Sequence, residues 1–248
     1  MTSTHLRQMI QHEHLKTFPD LNRLAKKFAR RTASLQDVVR IYQCVIRLPD
    51  LQKSLSDYSG IHSSLLSTTW AIPLTQHISG LNTFLELVET AIDLEAISHH
   101  EFLIKHTISP DLEATKKSMD SILEKIEPEA NRVARQLGME LGKKLKLEHT
   151  SVHGYHLRLS RNDATVIRGK GSAYRELACQ KAGVLFQTPL LRELSDEYSR
   201  IKESYTKLQS SIEREVIETA ESFFPVFQPL NALVAHLDVL TRYRVMNL

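Results

Sequence analysis

The chain has only two cysteines in 248 residues, Cys44 and Cys179, far apart in sequence. They form no disulfide framework and fit a reducing compartment. Eight glycines and eight prolines are roughly half the usual share. So few turn-formers argue against a fold of many short strands and favour helices. No run of about 18 apolar residues is present, so no segment reads as a membrane span. Met1–Lys16 is polar and lacks the apolar core of a signal peptide. An excess of one charge is also missing. Thirty-two basic side chains against 29 acidic ones leave +3, which excludes a histone-like polycation and an acidic tail.

What is present is mostly helical periodicity. Residues 5–16 read as a short helix ended by Phe18-Pro19. Leu21, Leu24, Ala25 and Phe28 recur at helical spacing behind a capping Asp20. Ser34 with Asp37 reads as a capping box for a helix that Leu48-Pro49 stops. A further helix is expected over 50–58, and 59–76 is ambiguous with Trp70 as anchor. One long helix is then expected from His77 to Ile97, followed by an extended stretch at Phe102–Thr107. Ser109-Pro110-Asp111 is a strong helix start. Behind it Leu112, Met119, Ile122, Ile126, Ala130, Val133 and Leu137 form a narrow seam, until Gly138 ends it. Pro128 inside this run predicts a kink or a division. Thr188-Pro189 opens a second long helix with the seam Leu194, Tyr198, Ile201, Tyr205, Leu208, Ile212 and Val216. Two long helices with narrow seams are expected to pair antiparallel. Pro225 and Pro229 precede a last helix, Leu230 to Tyr243.

Between the long helices lies the one β-like region. Leu145 and Leu147 alternate with Lys144, Lys146 and Glu148, and Tyr155, Leu157 and Leu159 alternate with His156, Arg158 and Ser160. Period 2 predicts an apolar face and a basic face. Arg161–Asp163 reads as a hairpin turn into a strand at Thr165–Ile167, and Val184–Phe186 as a last strand. Six of the eight glycines fall between Gly138 and Gly183. Residues 132–181 hold eleven basic and four acidic side chains, +7, which leaves −4 for the remainder. A basic, turn-rich tip suits the phosphates of nucleic acid. Free backbone amides at Gly169 and Gly171 would add phosphate contacts. Few aromatics interleave, which favours duplex backbone over stacked single-stranded bases. The opposing possibility is a solvated face that keeps the tip soluble.

No catalytic constellation emerges. Gly138–Lys144 has three residues between its glycines and Lys144 after Lys143, so it departs from the phosphate loop and reads as a helix stop. His12-Glu13-His14 and His99-His100-Glu101 lack the spacing of a zinc helix. Cys44 reads as a buried thiol, and Cys179 has no base partner.

The stretch Asp20-Leu21-Asn22-Arg23-Leu24-Ala25-Lys26-Lys27-Phe28 resembles the MutS family of DNA mismatch-repair proteins, and within it the eukaryotic second-homologue branch. Further similar stretches are Leu35-Gln36-Asp37, Pro73-Leu74-Thr75, His100-Glu101-Phe102-Leu103, Lys144-Leu145-Lys146-Leu147, Gly154-Tyr155 with Arg158, Gln180–Val184 with Phe186, and Leu230-Asn231 with Leu237-Asp238. The resemblance covers nearly the whole chain from Leu6. It departs at Pro128, at an extra residue between Arg168 and Gln180, and at His156 and Leu157, which replace aromatics.

The resemblance implies a mainly α fold: a helical lever bundle with long paired helices and an inserted clamp carrying a small antiparallel β tip. Residues 1–107 and 189–248 would be lever and 108–188 clamp. The clamp would touch double-stranded DNA backbone without reading sequence, and the lever would relay ATP state. Together with the charge distribution, this makes Lys143, Lys144, Lys146, Arg158, Arg161, Arg168, Lys170, Arg175 and Lys181 the expected DNA-binding residues. It also implies a nuclear protein partnered by a second MutS homologue. ATP and Mg would be cofactors of the full-length protein only, with the mismatch-binding and connector domains expected before Met1 and the ATPase after Leu248. Two other readings stay open: a coiled-coil interaction scaffold that binds no nucleic acid, and a meiotic relative acting on recombination intermediates.

Overall fold

Asp20, Ser34 with Asp37, and Thr188 each start a helix with a side-chain hydrogen bond. The computed structural model describes residues 4–168, 170 and 173–242. Its contacts separate one unit, the chain up to Lys105 together with that from Ser211 onward, from another, His106–Ser210.

In the first unit, α1 (Thr4–Met9) runs into a π-helical turn at Ile10–His14. Asp20 opens α2 (Leu21–Ala29) by accepting from the Arg23 amide at 2.9 Å. Ser34 and Asp37 form the capping box of α3 (Leu35–Val45). Asp37 is buried and also binds the Lys27 ammonium at 2.9 Å. Pro49 does not stop α3, which already ends at Val45; it sits in the first turn of α4 (Leu48–Ser56), where its missing amide costs nothing. The ambiguous stretch is helical: α5 (Ser63–Leu66), a π turn at Ser67–Ala71 and α6 (Ile72–Gly80). The single helix expected over His77–Ile97 is broken. Ser79-Gly80, weak helix formers, end α6, Leu81 leaves helical geometry, and α7 covers only Asn82–Ala91. Ile92 is extended and bridges Ile104 of the expected extended stretch, where Leu103 and Lys105 also bond the backbone of Asp93 and Ala91. The last helix covers Phe224–Arg242 and takes in Pro225 and Pro229, expected to precede it. Phe28, Phe84 and Phe227 are fully buried, Phe84 meeting Phe227 edge-on at 5.2 Å. Trp70 is buried beside the His236 ring.

In the second unit, α8 (Pro110–Leu137) is continuous through Pro128, so the proline does not divide it. Pro128 is exposed, so its ring lies on the solvent side. Ile122, Ile126, Ala130 and Val133 hold the helix from the buried side. Gly138 ends it in the left-handed conformation. Four strands follow: β1 (Leu145–Thr150), β2 (Gly154–Leu159), β3 (Arg175–Gln180) and β4 (Gly183–Gln187), in the order β1-β2-β4-β3 with antiparallel neighbours. The strand expected at Thr165–Ile167 is instead a 3-10 turn at Asp163–Val166. There Ser160 and Asp163 bond each other, and Ala164 and Ile167 turn into the core. Helix α9 (Pro189–Glu221) has 33 residues, about 50 Å at ~1.5 Å per residue. Glu129 meets Thr188 just before α9, while Lys116 and Asp120, earlier on α8, lie beside Tyr205, later on α9. The two helices therefore run antiparallel. Met119, Ile122, Ile126, Ala130 and Val133 of the first seam and Leu194 and Tyr198 of the second share one core with Leu145, Leu157, Leu159, Val184 and Phe186 of the sheet.

Candidate nucleic-acid interface

The sheet is seated on α9 through a glycine. Gly154 has φ 61°, and a Cβ there would collide with Ser195 Oγ; that hydroxyl accepts the Tyr155 amide at 2.8 Å. With Leu157 and Leu159 turned to the core, Lys146, Glu148 and Arg158 occupy the other face. Register then decides which cations meet. Lys146 stands directly across from Arg158, and Leu145 across from Leu159. β1 and β4 begin, and β2 and β3 finish, at one end of the sheet. That end gathers Lys143 and Lys144 before β1, Arg161 after β2, and Lys181 in the β3–β4 turn, with Lys146 and Arg158 one step in.

These six cations are not equivalent. Lys144, Lys146 and Lys181 are exposed and enter no ion pair among the described residues. Lys143 pairs with Glu140 at 2.9 Å, but both are well exposed, and such a pair contributes little. Arg158 is committed. Its Nε donates to Glu148 at 2.9 Å, its Nη2 at 2.6 Å, and its Nη1 donates to the Ala182 carbonyl at 2.9 Å. The Arg158 hydrogen bonds hold the Glu148 carboxyl below its ordinary pKa. Arg161 Nε donates to the Gln180 carbonyl at 2.9 Å.

Register places one of the remaining three expected residues, Arg175, away from this end. Arg168 and Lys170 are exposed on the segment between β2 and β3, and Arg175 pairs with Gln187 at the opposite end of the sheet. Gly169 and Gly171 lie outside the described residues. The basic face is also less open than alternation predicts. His156, opposite Glu148, is fully buried, with Nδ1 2.9 Å from the Gly154 carbonyl. Leu185, opposite Arg158, is buried too.

Sequence reasoning missed strand β3, the holding of the β3–β4 turn, and the buried Glu129. Only the last left a signal, a carboxylate within an otherwise apolar seam. Burial tends to raise the Glu129 carboxyl, but hydrogen bonds from Arg132 and Thr188, with the Arg132 charge, bring it below its ordinary value. No group of three or more His, Cys, Asp or Glu among the described residues is placed to hold a metal. Cys44 is buried and its thiol pushed up to about 12 by desolvation, whereas Cys179 is exposed.

Comparison with known proteins adds the context. Residues 107–204 match the model for MutS family domain IV, a span lying within the unit His106–Ser210. The chain is similar to the DNA mismatch repair protein msh-2 of Neurospora crassa, 39% identical over 241 residues, covering 97% of this chain and 26% of that protein. It is similar to MSH2 of Saccharomyces cerevisiae, 36% identical over 245 residues (96% and 25%), and to Msh2 of Dictyostelium discoideum, 34% identical over 235 residues (94% and 25%). The chain thus spans about a quarter of the length of these relatives.

Proposed function

The chain belongs to the MutS family, and on that footing we propose that it is the part of a mismatch-repair protein that holds the DNA backbone without reading sequence. Residues 108–188 act as the clamp. Residues 1–107 and 189–248 act as the lever, which relays the ATP state of an ATPase domain elsewhere in the full-length protein. The partners are double-stranded DNA and a second MutS homologue, ATP and Mg serve the full-length protein, and the place of action is the nucleus.

The observation that carries this reading is the convergence of Lys143, Lys144, Lys146 and Lys181 on one end of a four-stranded sheet. Flexible ammonium groups on a rigid sheet end suit phosphates, which carry no sequence information. The scaffold alternative loses ground in the second unit, because Leu194 and Tyr198 of α9 are buried in the core shared with α8. Lys143→Glu, Lys144→Glu and Lys146→Glu combined are the test: the triple variant is expected to lose duplex binding at low salt. Unchanged binding contradicts the assignment of the tip.

A further inference from the structure

We infer that Arg158 and Arg161 are positioning residues that hold the Lys181–Ala182 turn by its backbone, and that Glu148 sets Arg158 for this task. An acidic side chain on the cationic face therefore supports DNA binding instead of opposing it. The inference rests on the reading of that face as a DNA-backbone contact.

Strand order creates the need. The turn joins β3 to β4, while the arginines come from β2 and the residues just after it; β2 is the neighbour of β4 on its far side from β3. The hairpin ladder fixes Gln180 and Gly183. The Ala182 carbonyl lies in the turn beyond that ladder, and it accepts from Arg158 Nη1. Arg161 takes the Gln180 carbonyl, on the other side of Lys181. Lys181 is thus bracketed by two held carbonyls. Gly183 completes the arrangement. Its φ is 143°, and a Cβ there would collide with the Leu159 carbonyl, so only glycine lets the turn close against β2.

Arg158 can hold the turn because Glu148 fixes its guanidinium on the Nε and Nη2 side, which leaves Nη1 directed at Ala182. A planar fork does this and an ammonium does not. If Arg158 were a phosphate ligand instead, its donors would have to leave Glu148, a carboxylate only 36% exposed.

The test compares the whole chain with its Glu148→Gln, Glu148→Asp, Arg158→Lys and Lys181→Ala variants, binding a random-sequence duplex at low salt. Simple charge counting predicts tighter binding for Glu148→Gln, since a negative charge is removed. Positioning predicts weaker binding, by about threefold or more. It also predicts that Glu148→Asp recovers part of the loss and that Arg158→Lys fails to conserve affinity despite its conserved charge. Lys181→Ala should cost less in the Glu148→Gln background than in the parent, because the turn is already loose. Amide hydrogen exchange at 181–183 without DNA reads the turn directly and should quicken in Glu148→Gln and Arg158→Lys. Unchanged exchange, or equal or tighter binding by Glu148→Gln, overturns the inference. A parent chain that shows the exchange response but binds no duplex overturns the DNA reading alone, and the holding of the turn stands.

Discussion

Thr188 Oγ1 donates to Glu129 Oε1 at 2.6 Å, and both side chains are buried. The same hydroxyl accepts the Leu191 amide at 3.0 Å and so caps α9. Arg132 completes the group with two 2.6 Å bonds to Glu129. Thr188→Ala removes the cap and one partner of a buried carboxylate together. The expected cost is about 2–3 kcal/mol, and Thr188→Ser should recover most of it. Urea unfolding followed in the His106–Ser210 unit measures this. A loss below about 0.5 kcal/mol would mean that the contact is incidental.

Each unit carries one buried acid whose pKa lies below its ordinary value. For Asp37, desolvation pulls upward, but hydrogen bonds from Lys27 and the Ser34 amide, with the charges of Lys27 and Arg40, outweigh it. Glu129 follows the same balance. A pKa lower in the folded chain means stability that is fully present above the unfolded value and lost as pH falls through the folded one. Both units should therefore hold their stability from neutrality to about pH 5 and lose it below the ordinary carboxylate range near 4. Asp37→Asn should flatten the acid limb of the first unit and Glu129→Gln that of the second, read as thermal midpoints against pH. Acid limbs unchanged by both substitutions would contradict this assignment.

Three glycines with positive φ separate conformational strain from collision. At Gly138, φ is 65° and a Cβ meets nothing within 4 Å. Gly138→Ala should cost about 1–2 kcal/mol, the left-handed penalty alone. At Gly154 and Gly183 a Cβ collides as well, with Ser195 Oγ and with the Leu159 carbonyl respectively. Both Ala variants should lose more than Gly138→Ala, and Gly183→Ala the most, because backbone cannot rotate away as a hydroxyl can. Denaturation midpoints of the three variants give the order, and a Gly183→Ala no worse than Gly138→Ala would refute it.

Elements whose signals are local were legible in the sequence. Ser109-Pro110, Thr188-Pro189 and Gly138 mark helix ends without reference to anything distant, and the seams on α8 and α9 follow from helical period alone. β1 and β2 show in alternation because one face of each meets the core. β3 does not. It is an edge strand with a bulge between Glu176 and Ala178, and nothing in Arg175–Gln180 alternates. The nine expected cations could be read from composition, but their sorting could not. Cross-strand register decides that Lys146 faces Arg158 and that Arg175 lies at the opposite end, and register is a tertiary property. The commitment of Arg158 to Glu148 was hidden for the same reason: the two are ten positions apart and meet only through the hairpin.

The salt dependence of duplex binding tests the central claim most directly. Phosphate contacts release counterions, so log affinity should fall linearly with log salt, by about 0.9 per contact. For the parent chain the line should be steep and insensitive to sequence. For the combined Lys143→Glu, Lys144→Glu and Lys146→Glu variant, affinity at low salt should be lost or the slope should flatten by roughly three contacts. A parent chain that binds duplex with the same slope as the triple variant, or binds it independently of salt, would contradict the account.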